Sequence, residues 1–76
     1  MSFSPTNLRA IREARGLTRQ QMILEFARLG RRPPVERTIA TWEKGDTAPK
    51  ADDLAALAMV LGCEVQDFFI KEGAAA

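Results

Sequence analysis

The sequence has no histidine and no tyrosine, and its single cysteine is Cys63. Without histidine it lacks the side chain that most often serves as a general base or metal ligand near neutral pH. One cysteine makes no internal disulfide and no paired-cysteine zinc pattern. Cys63 also has no basic sequence neighbour to lower its pKa, so a thiolate nucleophile is not favoured. No glycine-rich phosphate loop is present. These absences together read as a protein that is not an enzyme and needs no metal or small-molecule cofactor. Asp52 and Asp53 are adjacent acids, but in the first turn of a helix they act as partners of its dipole rather than as a metal pair. Long apolar runs are missing too. The most apolar stretch, Leu54 to Cys63, is too short to span a bilayer, and the opening "MSFSPTNLRA" has no apolar signal core. The expectation is a cytoplasmic protein that does not enter membranes.

What is present suits one small helical domain. Seventy-six residues suffice for one domain only, and 46% hydrophobic with 28% charged residues is a globular rather than a disordered composition. The formal charge of +1 hides an asymmetry. Residues 1 to 50 carry eight Arg and two Lys against four Glu and one Asp, a balance of +5, whereas residues 51 to 76 carry one Lys against five acids, a balance of −4. A basic front suits a face turned toward a polyanion, and equally a face kept soluble by charge.

Helical periods separated by stop signals predict five short helices, an all-α domain with its core at about 4–70 and a frayed tail at 71–76. The first has Ser4 as N-cap, Pro5 at the first helical position, Phe3 and Leu8 as a hydrophobic staple, and Leu8, Ile11 and Ala14 as its buried face. Its arginines Arg9, Arg12 and Arg15 fall beside or opposite that face. The second opens on a Thr18/Gln21 capping box, buries Met22, Ile23, Phe26 and Leu29, and stops at Gly30. "RRPP" then forces an extended connection, because proline disfavours helical geometry in the residue before it. The third runs from Pro34 or Val35 to about Lys44, with Val35, Ile39 and Trp42 inward and Gly45 as its stop. The fourth buries Leu54, Leu57, Ala58 and Leu61 and ends at Gly62; the fifth, roughly Val65 to Ile70, brings in Phe68.

The third helix leaves a strip of Arg37, Ala40, Thr41 and Lys44 facing away from the core. A B-DNA major groove admits one α-helix, and its base edges are read by Arg on guanine, by Thr on several bases and by methyl groups on thymine. Arg37, Thr41 and Ala40 fit those roles. Lys44, Thr47, Lys50, Arg19 and Gln20 are placed to hold phosphates, and Thr38 joins them as a phosphate candidate. The same residues also describe an ordinary solvated helix face, and periodicity does not separate the two readings.

"LRAIREARGLT", "TIATWEKGDTAP" and "LAALAMVLGCEVQDFF" resemble the phage-repressor and Cro-like (lambda-repressor-like) helix-turn-helix family over about residues 6 to 69. Four pieces match in order: Arg12 before "GLT", "IATWEKG", Pro49, and "LAALAMVLG". The resemblance implies a five-helix DNA-binding domain with helices 2 and 3 as the motif and the third in the major groove. It also implies a buried ion pair between Arg12 and Glu43. That pair has a separate structural sense, since Glu43 flanks the core stripe, where an unpaired carboxylate is costly. Carried onto matching positions, base contacts fall at Glu36, Arg37 and Thr41 and helix-2 contacts at Arg19 and Gln20. Arg19 replaces a glutamine common in the family, and Glu36 meets phosphates unfavourably unless it accepts from cytosine N4.

The interval from Thr18 to Glu43 exceeds the usual family spacing, lengthening helix 2 beyond Ala27 and adding the Arg31 to Pro34 loop. Arg31 and Arg32 either reach DNA from that extended turn or belong to a solvated loop. The function implied is a sequence-specific regulator of transcription, a small repressor binding double-stranded DNA as a homodimer on an inverted repeat. Val65, Phe69 and Ile70 are the candidate dimer contacts. The alternative is a protein-interaction module, an antitoxin or coactivator, on the same fold.

Overall fold

The helix boundaries in the computed structural model, which describes residues 2–70, follow from local chemistry at each end. Helix α1 (Pro5–Ala14) begins at Ser4, whose Oγ accepts from the Asn7 backbone N–H at 3.1 Å, with Pro5 where its missing N–H is harmless. Helix α2 (Arg19–Arg28) opens on both arms of a capping box: the Gln21 N–H donates to Thr18 Oγ1 at 3.1 Å, and the Thr18 N–H donates to Gln21 Oε1 at 2.8 Å. After an irregular connection over residues 29–35, α3 (Glu36–Lys44) starts at Val35, and α4 (Ala51–Leu61) follows the loop that carries Pro49.

One core joins them. Leu8 of α1, Met22 and Phe26 of α2, Ile39 and Trp42 of α3, and Leu57 and Leu61 of α4 are buried, with Phe68 closing the cluster. Each such side chain contributes about 1.5–3 kcal/mol through the water it sheds. Helix α3 packs against α1 and α2 while α4 packs against α2, so the opposite side of α3 is left open.

The described residues form four α-helices, not five. The segment expected as a fifth helix is a single 3-10 turn, Val65–Phe68, after which the chain straightens into β2 (Phe69–Ile70). It pairs antiparallel with β1 (Ser2–Phe3), Ser2 opposite Ile70 and Phe3 opposite Phe69. The Ser4 N–H continues this closure with a 2.7 Å bond to the Phe68 carbonyl. Extended geometry alternates side chains, so Phe68 enters the core while Phe69, half-buried, packs at its edge and meets Phe3 edge to face at 6.2 Å. A continued helix would leave those backbone groups and the Phe3 ring without these partners.

Three expected burials are also corrected. Ala14 is exposed, because a three-residue repeat drifts about 60° per step around a helix and has left the core line by its third member. The four-residue step from Leu8 instead carries Arg12 inward, where the ion pair with Glu43 expected from the family resemblance is buried. Val35 is 65% exposed because it is the cap of α3, not yet on the stripe that begins at Ile39. Leu29, the C-cap of α2, is exposed for the mirror-image reason. The tail expected at 71–76 lies outside the described residues.

Gly45 couples the end of α3 to the start of α1. Its φ is +87°, and a Cβ placed there meets Pro5 Cγ at 3.2 Å. Gly30 has a similar φ of +72° but open space around it. Gly30→Ala is expected to lose about 1–2 kcal/mol from left-handed strain alone, and Gly45→Ala more than that. Urea-unfolding midpoints of the two variants check it, and equal losses would remove the Pro5 contact from the account.

Candidate nucleic-acid interface

The open side of α3 is built from short or unpaired side chains. Glu36, Arg37 and Lys44 are exposed, while Thr38, Ala40 and Thr41 are half-buried between them. Arg37 makes no hydrogen bond or ion pair with any described residue, so its five N–H donors are available to a partner. Glu36 occupies the first turn, where a carboxylate favours the helix dipole without needing any external contact. Thr41 Oγ1 donates to the Thr38 carbonyl at 2.7 Å and lies 3.2 Å from Thr47 Oγ1 in the following loop. Lys44 lies 4.0 Å from Asp46, a loose surface pair.

Behind this strip the last turn of α3 is fixed by charge. The Glu43 side chain is 2% exposed and Arg12 is 9% exposed. Arg12 Nε donates to Glu43 Oε2 at 2.6 Å, its Nη2 to Oε1 at 3.2 Å, and its Nη1 to the Leu17 carbonyl at 2.7 Å. The bond to Glu43 raises the Arg12 pKa above an already high ordinary value, with burial opposing and the charges of Glu43 and Glu13 assisting. Arg19 adds a second cation, its Nε donating to Glu43 Oε1 at 3.2 Å. The arrangement ties α1, the start of α2 and the end of α3 at one carboxylate, and Arg12 alone balances its charge. Arg19 is the surplus cation, with 33% of its side chain open to solvent beside the α2 N-terminus. The residue spacing flags Glu43 as a flank position, but nothing in it signals this second arginine.

The remaining candidates divide into two groups. Gln20 is exposed at the start of α2, Thr47 belongs to the α3–α4 loop, and Lys50 is the N-cap residue of α4. Arg31 and Arg32 are elsewhere: with Phe26, Asp52, Asp53 and Ala56 they line an open recess at the start of α4, and Arg31 Nη2 reaches Met59 Sδ at 3.4 Å. The extended turn therefore sets its two cations opposite the acidic first turn of α4. Of the apolar trio Val65, Phe69 and Ile70, Val65 and Ile70 are exposed, whereas Phe69 is partly covered by Phe3.

Among the described residues no group of acids, cysteines and histidines is placed to hold a metal ion, and no helix is long and apolar enough to cross a membrane. Burial, then the nearby Asp67 charge, pushes the Cys63 thiol up, with Arg15 opposing, so it is held neutral rather than poised as a thiolate.

Two consecutive helices, the first opened by a capping box and the second exposing a short polar strip over a fixed end, define a helix-turn-helix domain. The helix-turn-helix family model matches residues 8–68, and the chain belongs to that family, of the phage-repressor and Cro-like type. This is a family of DNA-binding domains of transcription regulators, not typically of enzymes. No curated protein and no solved structure matches the chain.

Proposed function

We propose that the protein is a sequence-specific repressor that binds an inverted-repeat operator as a homodimer, with α3 in the major groove. The observation that carries this reading is Arg37, exposed and unpaired on α3 beside the low-profile Ala40 and Thr41. A guanidinium free of internal partners is the side chain that pairs bidentately with guanine O6 and N7. Arg19, Gln20, Thr38, Lys44 and Lys50 hold phosphates, fixing register without reading sequence. Glu36 accepts from a cytosine amino group or contacts nothing. Arg31 and Arg32 lie against α4 and act at most at the margin of the duplex.

Dimerisation follows from affinity, since one module of this size makes few contacts and two on half-sites about 34 Å apart double them. Val65 and Ile70, exposed at the closed ends of the chain, with the Phe69 ring between them in sequence, form the proposed contact surface. Repression needs no further machinery than occupancy of the operator, and the site of action is the cytoplasm.

Selecting bound duplex from a random pool, then comparing the winner with unrelated duplex at stated salt, tests the reading. A preference of at least about a thousandfold is expected. No preference at physiological salt would favour a protein-interaction module on the same fold.

A further inference from the structure

The hydrogen bonds of Thr41 and Thr47 restrict what the recognition strip can read. A threonine hydroxyl has one proton. Thr41 Oγ1 is 2.7 Å from the Thr38 carbonyl oxygen, which can only accept, so the Thr41 proton is committed within its own helix. The 3.2 Å contact between the two hydroxyls is then a bond from Thr47 to Thr41, which commits the Thr47 proton as well. Neither hydroxyl retains a donor for a base edge or a phosphate. Besides one remaining acceptor lone pair, what Thr41 has left is its methyl group, next in sequence to the methyl of Ala40, and both residues are half-buried. Among the four bases thymine alone presents a methyl group in the major groove.

We propose that Thr41, with Ala40 beside it, selects thymine in the operator by apolar contact with its C5-methyl group, and that Thr47 holds Thr41 in the orientation that does so. Thr47 is thereby a positioning residue rather than a phosphate donor. The inference rests on the DNA-binding reading above and deepens it by naming a base and the group recognised.

The test uses the full chain and the operator selected from a random pool, with each thymine replaced singly by deoxyuridine, which lacks only the methyl. Wild-type protein is expected to lose about fourfold in affinity at one or more thymines in a half-site, the effect of one buried methyl-sized group. Thr41→Val keeps a methyl and discards the hydroxyl that Thr47 holds, and is expected to stay sensitive to the same deoxyuridine replacement and to lose less affinity than Thr41→Ser. Thr41→Ser keeps the hydroxyl and discards the methyl. It is expected to lose about 16-fold, about fourfold in each half-site of the dimer, and to be insensitive to the same deoxyuridine replacement. Thermal melting of both variants without DNA confirms that each is folded. Serine binding like wild type while valine binds tenfold worse would show hydroxyl readout and overturn the inference alone. A wild-type chain that prefers no duplex would overturn both this inference and the reading beneath it.

Discussion

Glu43→Ala is expected to destabilise the domain by about 3–5 kcal/mol, because it leaves a buried guanidinium without its counter-charge. Arg12 cannot turn out to water in compensation: its Nη1 is held by the Leu17 carbonyl at 2.7 Å and its side chain is 9% exposed. Arg19 loses the same anchor, but being one-third exposed it rehydrates at little penalty. In a domain of this size each kilocalorie shifts the melting point by about 4–8 °C, so a fall of roughly 12–40 °C follows. That approaches the whole stability of a small single-core domain, and a substantial unfolded fraction at room temperature is expected. A melting point indistinguishable from that of the parent would refute it. Two companion variants locate the cause. Arg19→Ala is expected to lose at most about 1 kcal/mol, as a partly exposed pair does. Replacing Arg12 with Met and Glu43 with Leu together is expected to recover most of the loss, since a well-packed apolar pair needs no desolvated charge.

The parts of this fold that were legible from sequence are the local ones. Ser4, the Thr18/Gln21 box, Gly45 and Gly62 each act through bonds within a few residues, so their types and spacing suffice to place helix ends. Ile39 and Trp42 are legible because they stand on the inner side of a regular period. Val35 and Leu29 escape that logic, since at a cap the backbone has not yet taken or has just left the helical path on which the period depends. The β1–β2 ladder is two residues long at opposite ends of the chain, too short to carry an alternation, and its pairing is decided by where α1 and α4 bring those ends. The same limit applies at the interface. Residue type nominates Arg12, Arg19, Arg31 and Arg32 alike as basic surface, while the angles between helices give Arg12 and Arg19 to Glu43 and set the other two at the start of α4. Arg37 is left without a hydrogen bond or ion pair to any described residue.

That freedom gives Arg37→Ala the second large expected effect, on binding instead of folding. The side chain is exposed and holds no described residue in place, so the melting point is expected to stay close to that of the parent. A bidentate arginine–guanine contact discriminates by about 1–3 kcal/mol. In a symmetric dimer the loss is counted once in each half-site, so operator affinity is expected to fall by roughly 30-fold to 10⁴-fold. The signature matters as much as the size. Specificity should relax at one base pair per half-site, with the remaining positions still selected and the salt dependence little changed. Lys50→Ala supplies the contrast, because a phosphate contact lowers affinity for all sequences alike and reduces the salt slope by about one per half-site. Competition binding of both variants against the operator and its single-base-pair changes, at two or more salt concentrations, separates the roles. If Arg37→Ala weakens every duplex equally and flattens the salt slope as Lys50→Ala does, Arg37 is a phosphate contact and the base-reading role belongs to another residue of α3.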